Sequence, residues 1–213
     1  MNPPRALHAR LALCAAAALF AGCSVLAPQP DRTRFFVLTA ASPPAGAVSP
    51  SPGALALGLG PINLPSYLGH LEVVTRAAPN RIDLSPADRW AESFDDNVRN
   101  VLARDLGARL PGAHIVSFPW YPTTRLDYEI AVQFERFERA GANSTELDAQ
   151  WTVRDGKTQR TLAMHDARFA TAVPNGTMES AAAALSADLA GLSDQIAATV
   201  AQLNQARAAH VGG

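Results

Sequence analysis

Past residue 23 this chain of 213 residues contains no cysteine; its two cysteines, Cys14 and Cys23, both lie near the start. The body therefore has neither a disulfide nor a Cys-based metal site, and its fold must be held by its core. Net charge is lacking as well, at −1 near neutral pH, so nothing suggests nucleic acid as a partner or an electrostatic membrane patch. Catalytic signatures are absent: the sequence has no GxSxG elbow, no HExxH and no Walker loop. Gly58-Leu59-Gly60 is only a fragment of a phosphate loop, because Pro61 follows where a helix should open. His70, His114, His165 and His210 are scattered with no pair at metal spacing. His165 and Asp166 are neighbours in a strand pattern, so they point to opposite faces and read as a surface pair. These absences argue against an enzyme and predict no cofactor and no metal.

What the start of the chain does contain is an address. Its first ten residues hold Arg5, His8 and Arg10 and no acid. Leu11 to Phe20 is an apolar run about half as long as the roughly twenty residues a spanning helix needs. Small residues then lead to the cysteine, completing the pattern of a secretory signal. Phe20-Ala21-Gly22-Cys23 is similar to the bacterial lipobox, with Phe20 where Leu is usual. That similarity implies cleavage after residue 22 and acylation (palmitate among the chains) at Cys23. An ordinary signal that happens to hold a cysteine is the alternative. One acyl chain binds a membrane reversibly, and several hold. Ser24 follows, not the Asp of inner-membrane retention, which favours the outer membrane, periplasmic face. Residues 23–31 form the lipidated tether, 32–208 a single domain and 209–213 a tail.

The body reads as α+β: strands, helix, strands, helix, with an antiparallel or mixed sheet and two helices packed on one face. Arg34 to Leu38 is a first strand, followed by a Pro/Ser/Gly/Ala loop from Ala41 to Gly53. Ala54 to Gly60 is a second strand that ends in the turn-rich Pro61 to Pro65. Glu72–Arg76 and Arg81–Leu84 pair as a hairpin. Trp90, Phe94, Val98, Val101, Leu102, Leu106 and Leu110 make one helical stripe. Ser85-Pro86 and Ser93 are rival helix starts, and Gly107 and Pro111-Gly112 mark the end. Tyr128 to Phe134 alternates as a half-buried strand, with a bulge at Arg136-Phe137. Glu135, Arg136, Glu138 and Arg139 read as a solvated strand end. Leu147 to Val153 is the next strand, and Asp155-Gly156 signals a two-residue turn into Thr158–Ala172. A long Ala-rich helix from about Thr177 to Arg207 covers the sheet or binds a partner.

Two apolar loops stand out as possible partner or lipid contacts: Leu64-Pro65-Ser66-Tyr67-Leu68, and Phe118-Pro119-Trp120-Tyr121-Pro122. Leu64, Tyr67, Phe118, Trp120 and Tyr121 are the candidate contact residues. The alternative is that they fold back on the core.

With these segments in place, the body resembles the PqiC family, the auxiliary lipoproteins of ABC-type lipid transporters. The carrying residues are Gly58, Gly60, Pro61, Leu64, Pro65 and Tyr67 in GLGPINLPSYL, Arg76 in Val74-Thr75-Arg76, and Arg89, Trp90 and Glu92 in RWAE. Asp95-Asp96-Asn97, Phe118-Pro119-Trp120, Asp127-Tyr128 and Ala149-Gln150-Trp151 extend the match. Family members usually have proline after RWAE; Ser93 stands there in this chain. The resemblance implies a non-catalytic partner of MCE-domain proteins and ABC permease components in lipid transport that supports envelope integrity. It also admits a homo-oligomeric ring. An outer-membrane assembly lipoprotein, serving lipopolysaccharide or β-barrel insertion, remains the alternative, and a periplasmic hydrolase with an unrecognised site a third reading.

Overall fold

The computed structural model describes residues 31–42 and 55–211. The signal segment, Cys23 and most of the Ala41–Gly53 loop lie outside those residues. From Thr33 onward the chain forms one unit, an open eight-stranded mixed sheet with two long helices. No helix among the described residues is long and apolar enough to cross a membrane.

The strands are β1 (Arg34–Phe36), β2 (Leu55–Asn63), β3 (Glu72–Ala78), β4 (Arg81–Trp90), β5 (Ala113–Ser117), β6 (Tyr128–Ala140), β7 (Ser144–Asp155) and β8 (Thr161–Ala172). The helices are α1 (Phe94–Arg109) and α2 (Met178–Val211). β6 organises the sheet. One of its edges pairs along its whole length with β7, which in turn pairs with β8, all antiparallel. Its other edge is shared: β2 runs parallel to its first half, and β3 joins only at Arg139 and Ala140. The sheet therefore forks into a β2–β5 branch and a β3–β4–β1 branch.

Alternation explains why β6 can do this. Tyr128, Ile130, Val132 and Phe134 are buried while Glu129, Ala131, Gln133 and Glu135 face outward, as the two-residue period of a strand requires. The register against β7 slips between Phe134 and Arg136, a residue before the expected bulge. Beyond it Phe137 and Glu138 are both buried, so the charge run is not a solvated strand end.

Three further expectations change. β4 continues through Ser85-Pro86, and α1 starts only at Phe94 after Ser93. Ser85 is occupied inside a bulge of β4, where its hydroxyl donates to Asp88 Oδ2 (3.1 Å) and accepts the Asp88 N–H (3.0 Å). Pro86, lacking an N–H, is tolerated where the ladder is interrupted. Trp90 thus ends a strand, yet it still meets the helical stripe by stacking on Phe94 at 4.6 Å. β5 has no counterpart in the sequence reading, since five residues around Ile115-Val116 are too short to show a period. The turn after β7 is longer than two residues: Asp155 Oδ1 accepts from Lys157 N, Thr158 N and Thr158 Oγ1, and β8 starts at Thr161.

α2 covers the sheet. Leu185, Leu189, Leu192, Ile196 and Val200 are 1% exposed or less, and each such side chain contributes about 1.5–3 kcal/mol. Small residues bring the helix close: a Cβ on Gly191 would lie 2.5 Å from Phe169 Cε1. Thr177 Oγ1 accepts the Ser180 N–H at 3.2 Å and caps the helix.

Candidate functional site

Two motif fragments far apart in sequence make one structure. β2 and β5 run parallel with Leu59 opposite Ser117, which places Gly58-Leu59-Gly60-Pro61 beside Phe118-Pro119-Trp120. A Cβ on Gly58 would sit 2.6 Å from Leu126 Cδ1 and 3.0 Å from Trp120 Cη2. A Cβ on Gly60 would sit 2.5 Å from Phe118 Cβ, and Gly60 has φ +130°. The two glycines are the seats of the two aromatics. Phe118 N–H donates to Leu59 O at 2.9 Å, and the Phe118 and Trp120 rings meet edge-on at 5.3 Å. Anchored this way, the loop leaves Phe118 51% and Tyr121 81% exposed, with Trp120 half-buried. An exposed large aromatic on a fixed backbone loses little conformational entropy on contact, which suits a partner surface.

The other loop faces elsewhere. Leu64 and Tyr67 are partly buried against the core. Arg76 donates to the Tyr67 hydroxyl (3.2 Å), to Pro79 O (3.1 Å) and to Glu138, and its guanidinium lies 5.5 Å from the Tyr67 ring centroid. Burial, reinforced by Glu138, pushes the Tyr67 hydroxyl up to about 12. Glu138 in turn faces Arg136 (3.6 Å), which pairs with Glu146. These groups border an open, mixed-charge hollow of about 560 Å³ lined by Arg76, Pro79, Arg136, Ala140 and Glu146. Arg76 pairs with the C-terminal end of β6 and the aromatic loop lies near its start. The five candidate contact residues thus fall into two separate places.

The RWAE motif builds a third arrangement. Trp90 is buried. Arg89 pairs with Glu72 at 3.4 Å. Glu92 Oε1 accepts from Asn97 Nδ2 (2.7 Å), which turns Asn97 Oδ1 to accept the buried Leu38 N–H (2.6 Å). The segment following β1 then runs between the helices. Thr39 N–H donates to Ser186 Oγ of α2 (3.1 Å) and Ala41 N–H to Asp105 Oδ1 of α1 (2.9 Å). Burial raises the Asp105 carboxyl, while the Ala41 N–H and Arg109 pull it back. Three amides of a segment outside the strands, those of Leu38, Thr39 and Ala41, are thus satisfied by side chains of the two helices, as buried amides require.

His165 stacks on Trp151 at 4.8 Å between ring centroids, and Asp166 accepts from Gln150 at 3.3 Å. The two face different neighbours and form no dyad. No group of three or more His, Cys, Asp or Glu among the described residues could hold a metal ion. The sequence reading missed the buried Glu138, the backbone-clamping role of Asn97, and Asp188. Asp188 is 1% exposed on α2 and accepts from Thr145 (2.6 Å) and Thr171 (2.5 Å). An acid in an Ala-rich helix carries no sequence signal for this; only the threonines brought across from β7 and β8 make it satisfiable.

Comparison with known proteins agrees with this architecture. A protein of Xanthomonas campestris from the DUF330 family is similar in fold with a TM-score of 0.66, at 14% identity over 84% of this chain and 99% of that one. An uncharacterized protein of known structure is similar at a TM-score of 0.59 and 16% identity, over 80% and 97% of the two chains. Against curated protein sequences nothing matches. At these identities the likeness speaks for the fold alone. The family model described as ABC-type transport auxiliary lipoprotein component matches residues 36–197, from β1 to deep within α2. The chain belongs to the ABC-type transport auxiliary lipoproteins.

Proposed function

We propose that this chain is a non-catalytic, outer-membrane-anchored periplasmic lipoprotein, acylated at Cys23, that serves an MCE-associated ABC system for lipid transport. In this reading it docks the end of a periplasmic tunnel through the loop carrying Phe118, Trp120 and Tyr121, and a ring of copies would suit the capping of a tube. The observation that carries the reading is the family match over residues 36–197. The fixed aromatic loop supports it: Gly58 and Gly60 hold two rings so that Phe118 and Tyr121 face solvent.

Gentle purification of the native lipoprotein from crosslinked membranes, with mass spectrometry of what accompanies it, tests the reading. An MCE-domain protein or its permease is the expected companion; a β-barrel or assembly factor in their place would refute it. A Tyr121→Asp variant should fold as wild type and recover less of that companion. A Cys23→Ser variant should appear soluble or stay as an uncleaved precursor. Normal cleavage with normal membrane binding would refute acylation at that residue.

A further inference from the structure

The sheet ends in a long strand with an open side. β8 runs for 12 residues and pairs with β7; among the described residues nothing pairs with its other edge. Natural edge strands are commonly kept short, bulged, or guarded by proline or lysine. From Thr161 to Ala172 there is neither proline nor lysine, and from Ala163 to Ala172 the register against β7 is unbroken. The Val173 N–H donates to Asn143 O at 2.6 Å. In that phase the odd residues of β8 bond toward β7 and the even ones turn their amides outward. Met164, Asp166, Arg168 and Ala170, all exposed, therefore present their N–H and C=O groups along the open edge.

The side chains of these four residues share the face turned away from α2. On the α2 face Phe169 lies beneath Gly191 yet is only half-buried, and His165 is exposed although it stacks on Trp151. An added strand would cover both. An antiparallel partner must set outward amides against outward amides, so a second β8 has to pair even residues with even ones. Two-fold pairing about Ala167 sets Asp166 against Arg168 of the second copy, and Arg168 against its Asp166. It also sets His165 against Phe169 and Met164 against Ala170. An axis at Asp166 or at Arg168 would instead bring two like charges face to face, which destabilises a strand pair. An axis at His165 or at Phe169 leaves neither charge opposed. Both charged side chains can still take a new partner. Arg168 is 84% exposed and 3.9 Å from Asp148 of its own chain, and Asp166 accepts from the neutral Gln150 at 3.3 Å.

We propose that β8 is a self-docking edge: two copies of this chain join their sheets antiparallel across a two-fold axis at Ala167. The contact is isologous, unlike the head-to-tail contacts of a simple ring. It requires neither the transport reading nor the acyl group, so its failure leaves both standing.

The test uses the full-length lipoprotein in non-ionic detergent, with its association followed by analytical ultracentrifugation. Wild type should be dimeric. Arg168→Asp sets acid against acid twice and should raise the dissociation constant at least tenfold. The double swap D166R/R168D reverses both pairs and should bring the constant back to within about threefold of wild type. The register is read by oxidation. Met164→Cys copies mixed with Ala170→Cys copies should form a disulfide-linked pair, because opposed residues lie within disulfide reach. Neither variant alone should do so, since its two thiols would be about 20 Å apart along the strands. All four positions are exposed, so each variant should keep the wild-type circular dichroism. A monomeric wild type, a dimer indifferent to Arg168→Asp, a double swap no better than the single one, or no crosslink in the mixture overturns the inference.

Discussion

Trp90 and Trp120 both belong to family motifs and end in opposite circumstances. Trp90 is 4% exposed, stacked on Phe94, next to the Glu92–Asn97 pair that holds the Leu38 amide. Trp120 rests half-buried on Gly58 and supports a loop whose neighbour Tyr121 is 81% exposed. Trp90 organises the backbone from inside the core, and its side chain has no reach beyond the fold. The Trp120 loop leaves apolar surface facing outward. A shared motif is thus compatible with two roles: RWAE holds β1 and the segment that follows it, while GLGP seats an exposed aromatic loop.

The difference can be broken at either end. The largest effect is expected for Gly60→Ala, which sets a Cβ against Phe118 in a backbone at φ +130°. Strain and overpacking together should cost roughly 3 kcal/mol and lower Tm by roughly 10 °C for a domain of this size. Calorimetry would read this, and partner binding should fall with it because the loop loses its seat. Asn97→Ala comes next. It leaves the buried Leu38 N–H without an acceptor at a cost of about 2 kcal/mol, seen as a lower urea midpoint, with the aromatic loop's partner binding unchanged. If Asn97→Ala weakened binding as much as Gly60→Ala, the two regions would not be independent.

A smaller, pH-dependent effect should come from Asp188. Burial holds its carboxyl above the ordinary value, and the Thr145 and Thr171 hydroxyls offset only part of that. The folded protein therefore binds this proton more tightly than the unfolded chain. Its contribution favours folding at acidic pH and declines as pH rises from about 4 through the folded value. Asp188→Asn cannot ionise, so the gap in urea midpoint between variant and wild type should shift in the variant's favour between pH 4 and pH 7. A constant gap would mean the carboxyl is not perturbed. The smallest stability effect belongs to Tyr121→Asp, within about 0.5 kcal/mol of wild type, although partner recovery should drop. Loss of stability there would return Tyr121 to the core.

Long, strongly periodic elements were legible before any coordinates. Tyr128 to Phe134 alternates and is a strand, and the stripe from Met178 to Leu203 is a helix covering a sheet. Both announce themselves because burial of one face imposes a period on neighbouring residues. The family and the α+β class were legible for the same reason, since motif residues and element order are local patterns. Other features were decided by contacts between distant segments. Ser85 reads equally well as a helix cap or a bulge, and its bond to Asp88 within β4 settles the matter. Glu138 looks like a surface charge until Arg76 is brought to it from β3. The aromatic loop's exposure depends on Gly58 and Gly60, some sixty residues earlier, because a ring folds inward or outward according to what already occupies its seat. Local pattern encodes which backbone forms; close packing between segments, which no single stretch of sequence contains, decides which side chains remain available to a partner.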